Sequence, residues 1–276
     1  PEDADLLYGL AKAYAESDPS QMEEPLHTAM FTNPDHIPSL LLQAHNQVDA
    51  EQYETAKGIL KAIFKINPHH AGSWALQAAI HTVRNEPDKA REARKSGLKY
   101  WKTNPLVDHE IGKKLSSKYL FAEGAAHQRQ ALAFSKDYIS AKTQLAQDLL
   151  RLGQDEEGWK LAGEAHDADG YDVTTFNLLT LYDTLKKYVT IDRNGFLLRM
   201  TRDEAALYGD EAIDLLTEAR DLFSAKYDTQ IEGPVIVEIF PEKKDFAVRT
   251  FGIPGGDGYM GVCFGKLITA NSPKSL

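Results

Sequence analysis

The sequence is poor in the features that announce simple chemistry. It holds one cysteine, Cys263, in 276 residues, so no intrachain disulfide can form; that does not decide the compartment, because many extracytoplasmic proteins lack disulfides. It has no run of five or more Lys and Arg residues of the kind that marks a basic tail. A net charge of −10 should repel a duplex nucleic acid, and we expect no nucleic-acid partner. The apolar runs are far shorter than the roughly 20 residues that cross a bilayer, so no membrane span is expected. No secretory signal is visible at the start. The chain opens on Pro1 instead of Met, which we read as an excised or processed piece. What remains is 42% hydrophobic and 26% charged, enough for a repeat array plus one smaller domain.

What is present is a period. Ala11, Ala44, Ala78, Gly112 and Ala146 form a ladder with spacings of 33, 34, 34 and 34. Ala56, Ala90, Gly124 and Gly158 form a second, and Met30, Ile63, Gly97, Ala131 and Ala165 a third. Small residues at fixed places let helices approach closely, whereas larger side chains push the axes apart. A step of about 34 with this pattern resembles the tetratricopeptide repeat. The resemblance covers five units over residues 4–170, and a capping helix carries it to 188. It implies a mainly α fold, a right-handed solenoid of helix-turn-helix pairs. It does not imply one function, since such arrays hold many partners.

The units follow in order. Leu10-Ala11-x-x-Tyr14 matches the family's Leu-Gly-x-x-Tyr, and Asp18-Pro19 should end one helix and start the next. Glu23 stands where the second ladder wants a small residue, as befits a terminal unit. Asn33-Pro34, Asn67-Pro68 and Asn104-Pro105 are read as closing units one to three, which makes the third about three residues longer. Trp74, Ala78 and Ala90 take the family's Trp, Gly and Ala positions. The fifth unit ends near Gly170. Helix 172–188 should cover the last apolar face with Phe176, Leu179 and Leu185.

The texture changes after Tyr188. Two β-prone runs, 189–192 and 196–200, flank Arg193-Asn194-Gly195, the strongest short hairpin signal. Residues 203–227 have helical spacing, 234–240 read as a strand and 243–250 as a short helix. Gly255 to Gly258 read as a loop and 259–269 as one further strand. The domains are thus expected at 1–188, the repeats with their cap, and 189–276, a small partial α+β unit.

Signs of catalysis are thin. His109-Glu110 lacks a second His four residues after the first, because Lys113 stands there, so it does not make a zinc-binding HExxH helix. His69-His70 sits in a turn and reads as solvated. Cys263, between Val262 and Phe264, reads as a buried, inert thiol. Gly255-Gly256-Asp257-Gly258 lacks the Gly-Lys-Ser/Thr end of a phosphate loop.

The repeat resemblance implies a concave wall built from first helices. Its inward positions carry over to Tyr8 and Lys12; Leu42, His45 and Asp49; Leu76 and Ala79; His109, Glu110 and Lys113; and Gln144, Gln147 and Arg151. These are the candidate groove for a protein or peptide. They do not reproduce the Lys/Asn/Arg carboxylate clamp of some relatives, so that specificity is not carried over.

A second resemblance covers 189–276. The stretch from Pro234 to Pro273 resembles the front of a gluzincin-type, peptidase MA-like zinc metallopeptidase domain, with the strand through Val237-Glu238-Ile239-Phe240, the short helix Asp245 to Thr250, and the glycine-bounded strand Gly261-Val262-Cys263-Phe264-Gly265. In that family the HExxH helix follows, and none is present here. The resemblance therefore implies no zinc ligand and no cofactor in these residues, zinc only in a longer parent, and Gly261 to Gly265 as the candidate substrate-side strand. The alternative expectation is a non-catalytic interaction protein with a degenerate C-terminal domain.

Overall fold

The computed structural model describes residues 3–231, 233–255 and 258–275. By packing, the chain divides into two units, Pro1–Tyr138 and Ile139–Leu276. The first holds four helix pairs: α1 (Ala4–Ser17) with α2 (Glu23–Thr32), α3 (Ile37–Asp49) with α4 (Tyr53–Ile66), α5 (Ala71–Val83) with α6 (Pro87–Gly97), and α7 (Pro105–Ser117) with α8 (Phe121–Phe134). The second opens on a fifth pair, α9 (Ile139–Arg151) and α10 (Asp155–Ala168), followed by α11 (Val173–Leu185) and the strands. The fold is mainly α, helix-turn-helix pairs of the tetratricopeptide type followed by a small strand-containing part.

The period is stricter than the punctuation suggests. From α3 on, first helices start at residues 37, 71, 105, 139 and 173, and second helices at 53, 87, 121 and 155. The third unit is therefore not longer. Its helix α6 has 11 residues where α4 and α8 have 14. Asn104-Pro105 opens the next helix instead of closing the last: Asn104 caps α7 by accepting from the Leu106 amide, and Pro suits the first turn, where no amide is needed.

The small-residue ladders are buried at Ala11, Ala44, Ala78, Gly112 and Ala146. Gly112 is needed for close approach: a Cβ there would sit 2.6 Å from Gln128 Nε2 and 2.8 Å from the Gly124 carbonyl. A second 34-residue series is not legible in the residue types. Each first helix from α3 to α9 ends on a left-handed residue, Glu51, Asn85, Tyr119 and Gly153. The following amide reaches back five residues, as from Glu86 to the His81 carbonyl and Leu120 to that of Leu115. This closure satisfies orphan carbonyls at the helix end.

In the second unit the sheet is five-stranded. β1 (Val189–Arg193) and β2 (Phe196–Met200) form the expected hairpin, with Asn194 and Gly195 both at positive φ. That twist matches the right-handed twist of the strands. Helix α12 (Arg202–Tyr227) leads to β3 (Val235–Phe240), which lies parallel to β2, and α13 (Lys243–Phe251) follows. The single strand expected over 259–269 is instead a hairpin, β4 (Gly261–Phe264) and β5 (Leu267–Asn271), turning at Gly265 with φ +65°. β5 pairs parallel with β3, and the order is β1-β2-β3-β5-β4. Gly256 and Asp257 of the expected loop lie outside the described residues.

Helix α11 covers the core with a face that includes the expected Leu185 but is centred on other residues. Leu178 and Leu181 pack with Trp159, Phe240 and Phe246, whereas Phe176 is exposed. A charged network lies beside this core. Arg249, wholly buried, donates from Nε to Glu238 Oε2 at 2.6 Å, from Nη2 to Asp155 at 3.2 Å and from Nη1 to the Leu150 carbonyl at 3.0 Å. Arg199 donates to the same two carboxylates. Helices α9 and α10 are thereby fastened to β2, β3 and α13, which explains why the fifth pair groups with the strands.

Candidate partner-binding site

Within Pro1–Tyr138, α3 and α7 meet across the C-terminal end of α5. Helix α5 lies between them, with Ala75, Ala78 and Ala79 clustered with α7 residues and Leu76 and Ile80 with α3 residues. Lys114 Nζ donates to Asp49 Oδ1 at 2.8 Å, and Lys118 Nζ donates to the Asp49 backbone carbonyl at 2.9 Å. Burial pushes the Lys114 ammonium below its ordinary pKa, against the pull of Asp49. His45, one turn before Asp49, is pushed down to about 3 by burial and by the charges of Lys114 and Lys113. It is therefore neutral near pH 7, able both to donate and to accept. Lys113 is exposed. The arrangement offers a neutral imidazole, an anchored ammonium and an exposed ammonium within a few turns.

The other candidates fall elsewhere. Tyr8 meets His36 edge-on at 5.8 Å, and Lys12 is exposed on the same helix. Leu42 packs against the Ala11, Met22 and Leu26 cluster. Leu76 and Ala79 are buried, because α3 and α7 flank α5 so closely. His109 is buried too: Nδ1 donates to Gln128 Oε1 at 2.9 Å, while Gln128 Nε2 donates to the His109 carbonyl at 3.1 Å. Its ring meets Tyr138 edge-on, so it is a buried packing group. Glu110 is half-buried. Lys114 and Lys118 escaped notice, since lysines on a helix ordinarily face water.

In the second unit Gln144 donates to Asp148 at 2.9 Å, Gln147 lies against Gly252 and Arg151 Nε donates to the Thr250 carbonyl at 3.3 Å. Gln147 and Arg151 thus engage the end of α13. Cys263 is exposed on the edge strand β4, which corrects the buried thiol expected. Strand alternation sends Val262 inward and Cys263 outward, with Gly261 and Gly265 exposed and Phe264 half-buried.

Among the described residues no group of three His, Cys, Asp or Glu side chains could hold a metal ion. No helix among them is long and apolar enough to cross a membrane.

Comparison with known proteins gives fold likeness alone. No family model matches the chain, and no curated protein does. Among solved structures it is similar to TTC0263, a thermophilic TPR protein of Thermus thermophilus, at 16% identity over 66% of this chain and 97% of that one, with a TM-score of 0.49. It is also similar to PilW, a type IV pilus biogenesis factor, at 16% identity over 65% and 83%, with a TM-score of 0.41. YrrB, described as a TPR protein with an unusual peptide-binding site, matches at 10% identity over 64% and 92%, with a TM-score of 0.35.

Proposed function

We propose that this chain is a protein-interaction scaffold that holds a protein or peptide segment against the first helices of Pro1–Tyr138. The observation that supports it is the convergence of His45, Asp49 and Lys113 with Lys114 and Lys118 where α3 meets α7. A peptide backbone would find a donor-acceptor in His45, and an acidic side chain would find Lys113. The test is comparative affinity capture, with hits verified by purified components. The double variant His45→Ala/Lys113→Glu should weaken a verified partner at least tenfold. A partner that binds this variant as well as the parent, or that maps wholly to 189–276, sinks the assignment.

For 189–276 the finer reading rests on resemblance: the front of a gluzincin-type zinc peptidase domain, with Gly261 to Gly265 on the substrate side. The place of β4 at the sheet edge supports it, since an extended peptide can pair with an edge strand. Purified as it stands, the chain should carry far less than one zinc per molecule and cleave no peptide, because the ligands would lie in further sequence. Stoichiometric zinc with zinc-dependent hydrolysis would overturn this. Reading the parent gene past Leu276 separates it from a degenerate, non-catalytic domain, which would lack HExxH.

A further inference from the structure

A cleft of about 500 Å³ opens among α5, α6, α7 and α8, apart from the His45 cluster. Its apolar lining includes Ala78, Ala90, Ile111 and Leu120. Ala90 is a ladder position left half-buried, where its counterparts Ala56, Gly124 and Gly158 are covered. Pockets of this size and lining are the usual seat of small ligands or inserted side chains when a few polar groups converge on them.

The polar group here is prepared by an unusual support. The Asp108 carboxylate is fully buried and accepts Arg94 Nε at 2.8 Å, Arg94 Nη2 at 2.7 Å and His127 Nδ1 at 2.7 Å. Burial works against its charge, but the bonds from His127 and Arg94 outweigh this and hold its pKa low. An ionised carboxylate only accepts, so His127 must carry its proton on Nδ1. In the neutral ring Nε2 is then a lone pair. His127 lines the cleft, and Nε2 has no hydrogen-bond partner among the described residues. Aiming an imidazole through its far nitrogen is how carboxylates orient functional histidines.

The charges around the cleft disfavour an anion. Arg94 is matched by Asp108, Arg91 is paired with Asp88, and Glu123 lies on the lining. The guanidiniums of Arg91 and Arg94 favour the face of an aromatic ring. We propose that this cleft binds an aromatic ring bearing one hydrogen-bond donor, an indole or phenol group, which donates to His127 Nε2 while its body rests on Ala78, Ala90 and Ile111. The group can come from a free small molecule or from a Trp or Tyr side chain of a partner protein.

Titration of the isotope-labelled full chain by NMR tests it. Indole should shift the amides of Ala78, Ala90 and His127, and 1-methylindole, the same ring without a donor, should bind at least tenfold more weakly. Ala90→Leu fills the cleft from a half-exposed position, so with circular dichroism unchanged it should abolish the shifts. Tighter binding of N-acetyltryptophanamide than of indole assigns the site to a partner's side chain, and the reverse order to a small molecule. No shifts with indole or phenol at millimolar concentration, equal binding of indole and 1-methylindole, or shifts that survive Ala90→Leu would overturn the proposal.

Discussion

At the scale of single residues, glycines of one helical array separate into two kinds. Gly58 in α4 has open space where a Cβ would be, whereas Gly112 in α7 has Gln128 and the Gly124 carbonyl within 2.8 Å. Gly58→Ala should therefore stabilise by roughly 0.5–1 kcal/mol, the helix-interior cost of glycine. Gly112→Ala should destabilise by about 1–3 kcal/mol through overpacking. Paired thermal unfolding reads both signs at once, and equal shifts would refute the distinction. His45 gives a pH dependence. Its folded pKa lies well below the ordinary imidazole value of about 6.5. Its contribution is full above that value and is lost as pH falls toward 3, because the unfolded chain takes up a proton that the folded chain refuses. The slope is at most about 1.4 kcal/mol per pH unit. Burial lowers His70 and His109 in the same sense, so His45→Gln should flatten the acid limb of a urea-denaturation series without abolishing it. Cys263, exposed, should react with one equivalent of a thiol reagent in the native state, and protection until denaturant is added would count against its placement.

At the scale of elements, legibility followed locality. The helix pairs were readable because their small residues recur every 34 positions, and the β1–β2 hairpin because Asn194-Gly195 supplies two left-handed residues side by side. The β4–β5 turn was missed because Gly265-Lys266 is a weaker signal embedded in an apolar run. The left-handed closures at Glu51 and Tyr119 were invisible, since neither residue favours that conformation. The groove candidates were legible only as helix positions. Nothing in sequence says that α5 would be flanked so closely that Leu76 is buried, or that Lys114 would be drawn inward to Asp49. The network of Asp155, Arg199, Glu238 and Arg249 was equally hidden, because ordinary charges far apart in sequence meet only through the sheet. Arg249→Met leaves Glu238 buried without its main partner and should cost about 3–5 kcal/mol. Urea unfolding measures it, and a loss under about 1 kcal/mol would show the network to be dispensable.

At the scale of the whole molecule, the chain pairs one kind of architecture with another. Helices that repeat give stability by addition, each pair resting on its neighbours. The strand-bearing part draws on pairings between distant segments, which come together more slowly. Bonds from Lys114 and Lys118 to Asp49 within Pro1–Tyr138 depart from strict addition. Lys114 on the fourth pair holds Asp49 on the second, passing over the third. In a stack of plates where each touches only the next, plates peel away singly under tension. A tie that skips a plate binds three into one link, and none of the three can leave without the others. Drawn from its ends in a single-molecule instrument, this stretch should yield pairs two to four in one rip, and Lys114→Met with Lys118→Met should turn that rip into a staircase.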